Sequence, residues 1–183
     1  MPPLEMASPF SVVEYILRRL RFRTWVYVSL AVAMMGGPAF GSYFGIFLFT
    51  LAAALGLRIV DDLASTKYEQ ACGDARFYHA GSARTSLALI AAGLLVFAGF
   101  VLVTIDYPVL PYAVFLIVSG LYYCLFHTTV YVTWVSLLKY PAAILAFAPI
   151  EKSGKITIAC LFLIAHLVYE ARASREPKGA LYA

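Results

Sequence analysis

Long apolar runs separated by short polar turns leave this chain few ways to fold. The runs fall at about 24–41, 42–60, 85–105, 109–127, 129–150 and 155–171, and each approaches the roughly 20 residues that a helix needs to cross a bilayer. None shows the alternation of a membrane β-strand. Of the 183 residues, 62% are hydrophobic and only 13% charged, more apolar than a soluble domain of this length requires for its core. The expected fold is therefore all-α, a polytopic transmembrane helix bundle of about six spans. The segment "MMGGPAFGSYFG", 34–45, is expected to break the first two spans in a tight turn, because it concentrates Gly and Pro.

Basic residues set the expected orientation. Arg18, Arg19, Arg21 and Arg23 precede the first run, Arg58, Lys67, Arg76 and Arg84 surround the end of the second and the loop after it, and Arg172, Arg175 and Lys178 follow the sixth. With alternating spans, those eleven of the fourteen Lys and Arg residues share one side, which makes that side cytoplasmic and places both termini there. Lys152 and Lys155, in the last outer turn, depart from the pattern. The formal charge of +4 follows from topology and anionic membrane lipids, so no nucleic-acid partner is implied.

Residues 1–23 are read as a cytoplasmic amphipathic segment, 24–171 as the transmembrane domain with a cytoplasmic acidic loop at 61–84, and 172–183 as a cytoplasmic tail. No signal peptide is expected, since Glu5, Glu14 and four arginines interrupt any apolar core before Thr24. In "SPFSVVEYILRRLRFRTW", Phe10, Val13, Ile16, Leu17 and Leu20 form one apolar face, as in a helix lying at the interface or a plain juxtamembrane anchor. Cys72, Cys124 and Cys160 lack the spacing of a disulfide, zinc or haem-attachment motif. They are expected to be packing residues.

Most of the chemistry lies in "GLRIVDDLASTKYEQ", Gly56 to Gln70. Asp61 and Asp62 end an apolar run at the helix terminus where the dipole disfavours acids. If the helix continues, Asp62, Ser65 and Glu69 share one face by their spacings of three and four, with Asp61 beside Ser65 one turn on. Carboxylates so placed can hold Mg²⁺ with water and phosphate oxygens as its other ligands. The same spacing fits a solvated acidic helix end paired with Arg58 or Lys67.

"LRIVDDLASTKYEQ" resembles the first aspartate-rich motif of the UbiA superfamily of intramembrane prenyltransferases, Asn/Asp-Asp-x-x-Asp-x-x-x-Asp at the cytoplasmic end of the second helix. Asp61 and Asp62 match its opening pair and Glu69 its last acid, while Ser65 stands at the third acid. The resemblance implies Mg²⁺ on Asp61, Asp62 and Glu69 and a prenyl diphosphate held by Arg76, with Arg84 as a helper. "GLYYCLFH" and "VSLLKYPAAIL" are similar to the tyrosine-rich fourth helix and the fifth-helix segment of that family, which adds Lys139 and Tyr140 as substrate-binding candidates. Lys139 lies about ten residues into its run, roughly 15 Å from the cytoplasmic end, where a charge needs a partner or a cavity. "YEARASREPKGA" lines up with the second acidic motif, with Glu170 as its first acid and Ser174 at its second.

Family members carry nine helices around a lateral cavity, so a chain with about six is expected to form part of such a ring and to leave some of the wall to lipid or another protein. Each acid replaced by serine removes charge that would hold Mg²⁺ and stabilise a departing diphosphate. The resemblance therefore implies a degenerate, non-catalytic integral subunit of a larger membrane complex, binding an isoprenoid, a quinone or a pigment tail. The alternative is an active Mg²⁺-dependent prenyltransferase, acting on an aromatic or lipid acceptor, whose cavity a partner completes.

Two other features carry candidate chemistry. His127 and His166 lie in or at the ends of different runs and can ligate haem or a pigment magnesium, or simply pack with hydrogen bonds. The 13 Tyr and 13 Phe suit an isoprenoid groove and equally suit interfacial anchoring. Walker A, GxSxG and HExxH sequences are absent.

Overall fold

The computed structural model describes residues 12–14, 16, 20, 22–40, 42–71, 81–126 and 131–173. After a single turn α1 (Val12–Glu14) come α2 (Phe22–Phe40), α3 (Tyr43–Ala71), α4 (Gly81–Thr104), α5 (Leu110–Phe126), α6 (Tyr131–Phe147) and α7 (Lys152–Ala173), with no strand among the described residues. Each apolar run thus becomes one helix. Two stretches, Tyr43–Ala64 and Arg84–Thr104, are long and apolar enough to cross a membrane, and Phe22–Gly36 and Leu110–Tyr122 are shorter apolar stretches.

The first break falls between Phe40 and Tyr43, within the expected 34–45 segment, although the glycines themselves do not make the turn. Helix α2 runs through Gly36, Gly37 and Pro38 to Phe40, and α3 starts after Ser42, whose Oγ accepts the Gly45 amide at 3.2 Å as an N-cap. Gly36 serves packing instead: a Cβ there would collide with the Pro149 carbonyl oxygen, so its absence lets α2 meet the turn between α6 and α7. Helix α3 does continue past its apolar part, reaching 29 residues or roughly 43 Å.

Helix α3 packs between α2 and α4, α6 packs between α5 and α7, and α3 meets α6. Gly56 permits the first of these contacts, because a Cβ there would stand 2.8 Å from Leu95 Cγ. Phe49, Ala52 and Ala53 of α3 are buried with Ala98, Val101 and Leu102 of α4, Tyr112 of α5 and Ala143 of α6. A second cluster joins Leu55 and Ile59 to Leu87, Ala91 and Leu20, with Val12 against it. The amino-terminal segment is therefore partly tucked into the bundle at Val12 and Leu20, while Val13 and Ile16 stay exposed. Phe10 and Leu17 lie outside the described residues.

At the far end from the acids, α4 closes with Asp106 in the left-handed region at φ 54°. The Tyr107 amide bonds the Leu102 carbonyl and the Asp106 amide the Val103 carbonyl, the paired bonds of a Schellman cap. Tyr107 then donates its hydroxyl to the Ala148 carbonyl at 3.2 Å and accepts from Lys155 Nζ at 3.3 Å. Lys155, an exception to the charge pattern, is thus tied to the turn that follows α4.

The outward faces are apolar. Leu89, Val96 and Phe100 of α4, Leu110, Ile117 and Leu125 of α5 and Leu161 and Ile164 of α7 are all exposed. Only 28% of the apolar window in Arg84–Thr104 is buried. Cys124 and Cys160 are also exposed, contrary to the expectation that they pack inside.

Candidate functional site

The acid pair of α3 lies inside the bundle. Asp61 is 4% exposed and Asp62 5%, so this is no solvated helix end. Arg58, one turn earlier, places its guanidinium 3.0 Å from Asp62 Oδ1 and 3.8 Å from Asp61 Oδ2, as the three- and four-residue spacings dictate. Lys139 arrives from α6, with Nζ 2.8 Å from Asp61 Oδ1. It also donates to the Leu57 carbonyl at 3.3 Å and lies 4.7 Å from the centre of the Tyr140 ring. The quartet holds two negative and two positive groups and is neutral as a unit. Removing one partner from such a pair leaves a buried charge, at a cost of about 3–5 kcal/mol.

Local sequence accounts for the meeting. Arg58 lies on the same helix as the acids it compensates, whereas Lys139 spans the junction between α3 and α6. Pro141, two residues on and inside α6, has no amide hydrogen for the carbonyl one turn back. Such a break is tolerated where neighbouring helices cover it.

Beside the quartet runs a small apolar groove, open on one side. Trp25, Val28 and Val32 of α2, Phe49, Ala53 and Leu57 of α3, Tyr140, Ala143 and Ile144 of α6 and Phe162 of α7 line it. Trp25, Tyr140 and Phe162 tile one wall. Their ring centres are 5.2 Å apart for Trp25 and Tyr140, 6.3 Å for Trp25 and Phe162 and 6.1 Å for Tyr140 and Phe162, with planes within 35° of parallel. Thr50 also lines the groove, but its hydroxyl donates to its own helix at Ile46 O, 2.8 Å away. Leu57 and Tyr140 link groove and quartet, since each touches both.

Of the residues singled out from sequence, Asp61, Asp62, Lys139 and Tyr140 come together here. Arg84, at the start of α4, reaches the same end of α3 and donates to the Leu63 carbonyl at 3.5 Å. Glu69 lies on α3 about two turns beyond Asp62, and His166 and Glu170 lie on α7. The side chains of these three, and Arg76 and His127 entirely, lie outside the described residues. Among the described residues, no three His, Cys, Asp or Glu side chains converge as a metal site. Sequence reasoning missed Trp25 and Phe162, which sit in separate runs with no spacing to connect them. It also left Lys139 without its partner, although a charge so deep in an apolar run called for an acid, and Asp61 and Asp62 end another run.

Comparison of the chain with family models, curated proteins and solved structures gave no match.

Proposed function

We propose that this chain is an integral membrane protein of the UbiA type, with six membrane helices and both termini cytoplasmic, serving as a non-catalytic subunit of a larger membrane complex. Its groove binds the isoprenoid chain of a lipid, quinone or pigment. The observation that carries the non-catalytic reading is the closed quartet: Asp61 is held by Lys139 at 2.8 Å and Asp62 by Arg58 at 3.0 Å. Acids compensated in this way present no net charge to attract Mg²⁺. The apolar outer faces of α4, α5 and α7 support contact with lipid or with other membrane subunits.

The test is gentle extraction from the native membrane, followed by identification of co-purifying chains and lipids. Stoichiometric partner subunits are expected. Recovery as a lone, stable monomer would count heavily against the subunit role.

A Mg²⁺-dependent prenyltransferase is the second reading, favoured by one observation. Two acids and two bases sit together at one end of an apolar groove, so Asp61 and Asp62 can pass to a metal while Arg58 and Lys139 pass to a diphosphate. That reading requires Asp62→Asn to abolish turnover of a prenyl diphosphate. Absence of turnover in the parent protein, with its partners present, excludes it.

A further inference from the structure

We propose that the Lys139–Asp61 ion pair is a latch between two three-helix halves of the bundle, and that its release lets the acid end open about an apolar pivot at the opposite end. This does not depend on what the groove holds.

In one half α3 packs between α2 and α4, in the other α6 packs between α5 and α7, and the two middle helices meet at the seam. Far from the acids, apolar packing closes that seam. Val32 and Ile46 of the first half are buried with Ala148 and Ile158 of the second, and Phe49 and Leu102 with Tyr112 and Ala143. Gly36 brings α2 against the Pro149 carbonyl at the same end. Next along the seam comes the groove, which parts the halves from Val32 and Ala148 to Leu57 and Tyr140.

Beyond the groove the halves are joined by charge. Lys139 is the quartet's member from the second half, and it grips both Asp61 and the Leu57 carbonyl of the first. The contacts of Trp25 with Tyr140 and Phe162 also cross here, but a ring contact is weaker than a buried ion pair broken on one side. Pro141 interrupts the ladder of α6 two residues from Lys139 and gives that helix a place to bend. A packed end, a gap and an ionic bridge, in that order, are the parts of a hinge.

The experiment measures spin-label distances between α4 and α7 at both ends by double electron–electron resonance. It uses the full-length protein in lipid nanodiscs, with Cys72, Cys124 and Cys160 replaced by serine. Leu89→Cys and Val168→Cys mark the acid end, Val103→Cys and Ile156→Cys the pivot end, and all four positions are exposed. A swing of about 15°, acting over the roughly 21 Å of α4 between Leu89 and Val103, lengthens the first distance by about 5 Å. That lengthening is expected in Lys139→Met and in the isosteric Asp61→Asn, with the second distance unchanged. Asp61→Asn carries the test alone if Lys139→Met does not fold. An acid-end distance that stays at the parent value in every variant that folds overturns the proposal. Equal lengthening at both ends also overturns it, because a loosened bundle has no pivot.

Discussion

At the residue scale, the behaviour of this protein turns on Lys139 and Asp61. A lysine with 2% of its side chain exposed is tolerable only because a carboxylate and a backbone carbonyl accept its hydrogen bonds. Lys139→Met strands Asp61, whose remaining cation in the quartet, Arg58, is 3.8 Å away. That variant is expected to lose about 3 kcal/mol of stability, and Lys139→Met with Asp61→Leu should regain most of it, since an apolar pair can replace a buried ion pair. Thermal unfolding in detergent decides this, and a single variant as stable as the parent would show that the pair bears no strain of burial. Ser29 makes the opposite case. Its hydroxyl is fully buried and has no hydrogen-bond partner among the described residues, so Ser29→Ala is expected to be neutral or stabilising by up to about 1 kcal/mol.

At the scale of elements, helix α3 organises the rest because it carries both the packing glycine and the acids. Gly56→Leu should drive α3 away from Leu95 and Ala91 of α4 and cost about 1–3 kcal/mol as overpacking, again read by thermal unfolding. Retained stability would mean that α4 can shift outward freely. The helices themselves were legible in the sequence, because an apolar run of membrane length has few alternatives. Their exact ends were less so. The break within 34–45 was legible from its glycines and proline, but the role of Gly36 was not, since it answers to the backbone of Pro149, more than a hundred residues away in the chain. The Schellman cap at Asp106 was likewise unreadable, since aspartate adopts the left-handed region less readily than glycine. Within the site, the spacing of Arg58, Asp61 and Asp62 already contained their pairing. The aromatic wall was not legible, because α2, α6 and α7 meet only in the tertiary fold.

At the scale of the whole molecule, the decisive property is what lies against the outer faces. Two helices have the length and apolarity to cross a membrane, and the six-span reading extends that to α2, α5, α6 and α7. Cys160, exposed on α7, separates the two cases. It lies nine residues into a 22-residue helix, so in a six-span bundle it faces hydrocarbon or a partner subunit, where a charged thiol reagent cannot follow. With Cys72 and Cys124 replaced by serine, Cys160 should resist a membrane-impermeant methanethiosulfonate reagent in intact membranes. It should react once the protein is dissolved in denaturing detergent. Prompt labelling in sealed or opened membranes would put that face of α7 in water, and the six-span bundle would fail even if α3 and α4 still crossed.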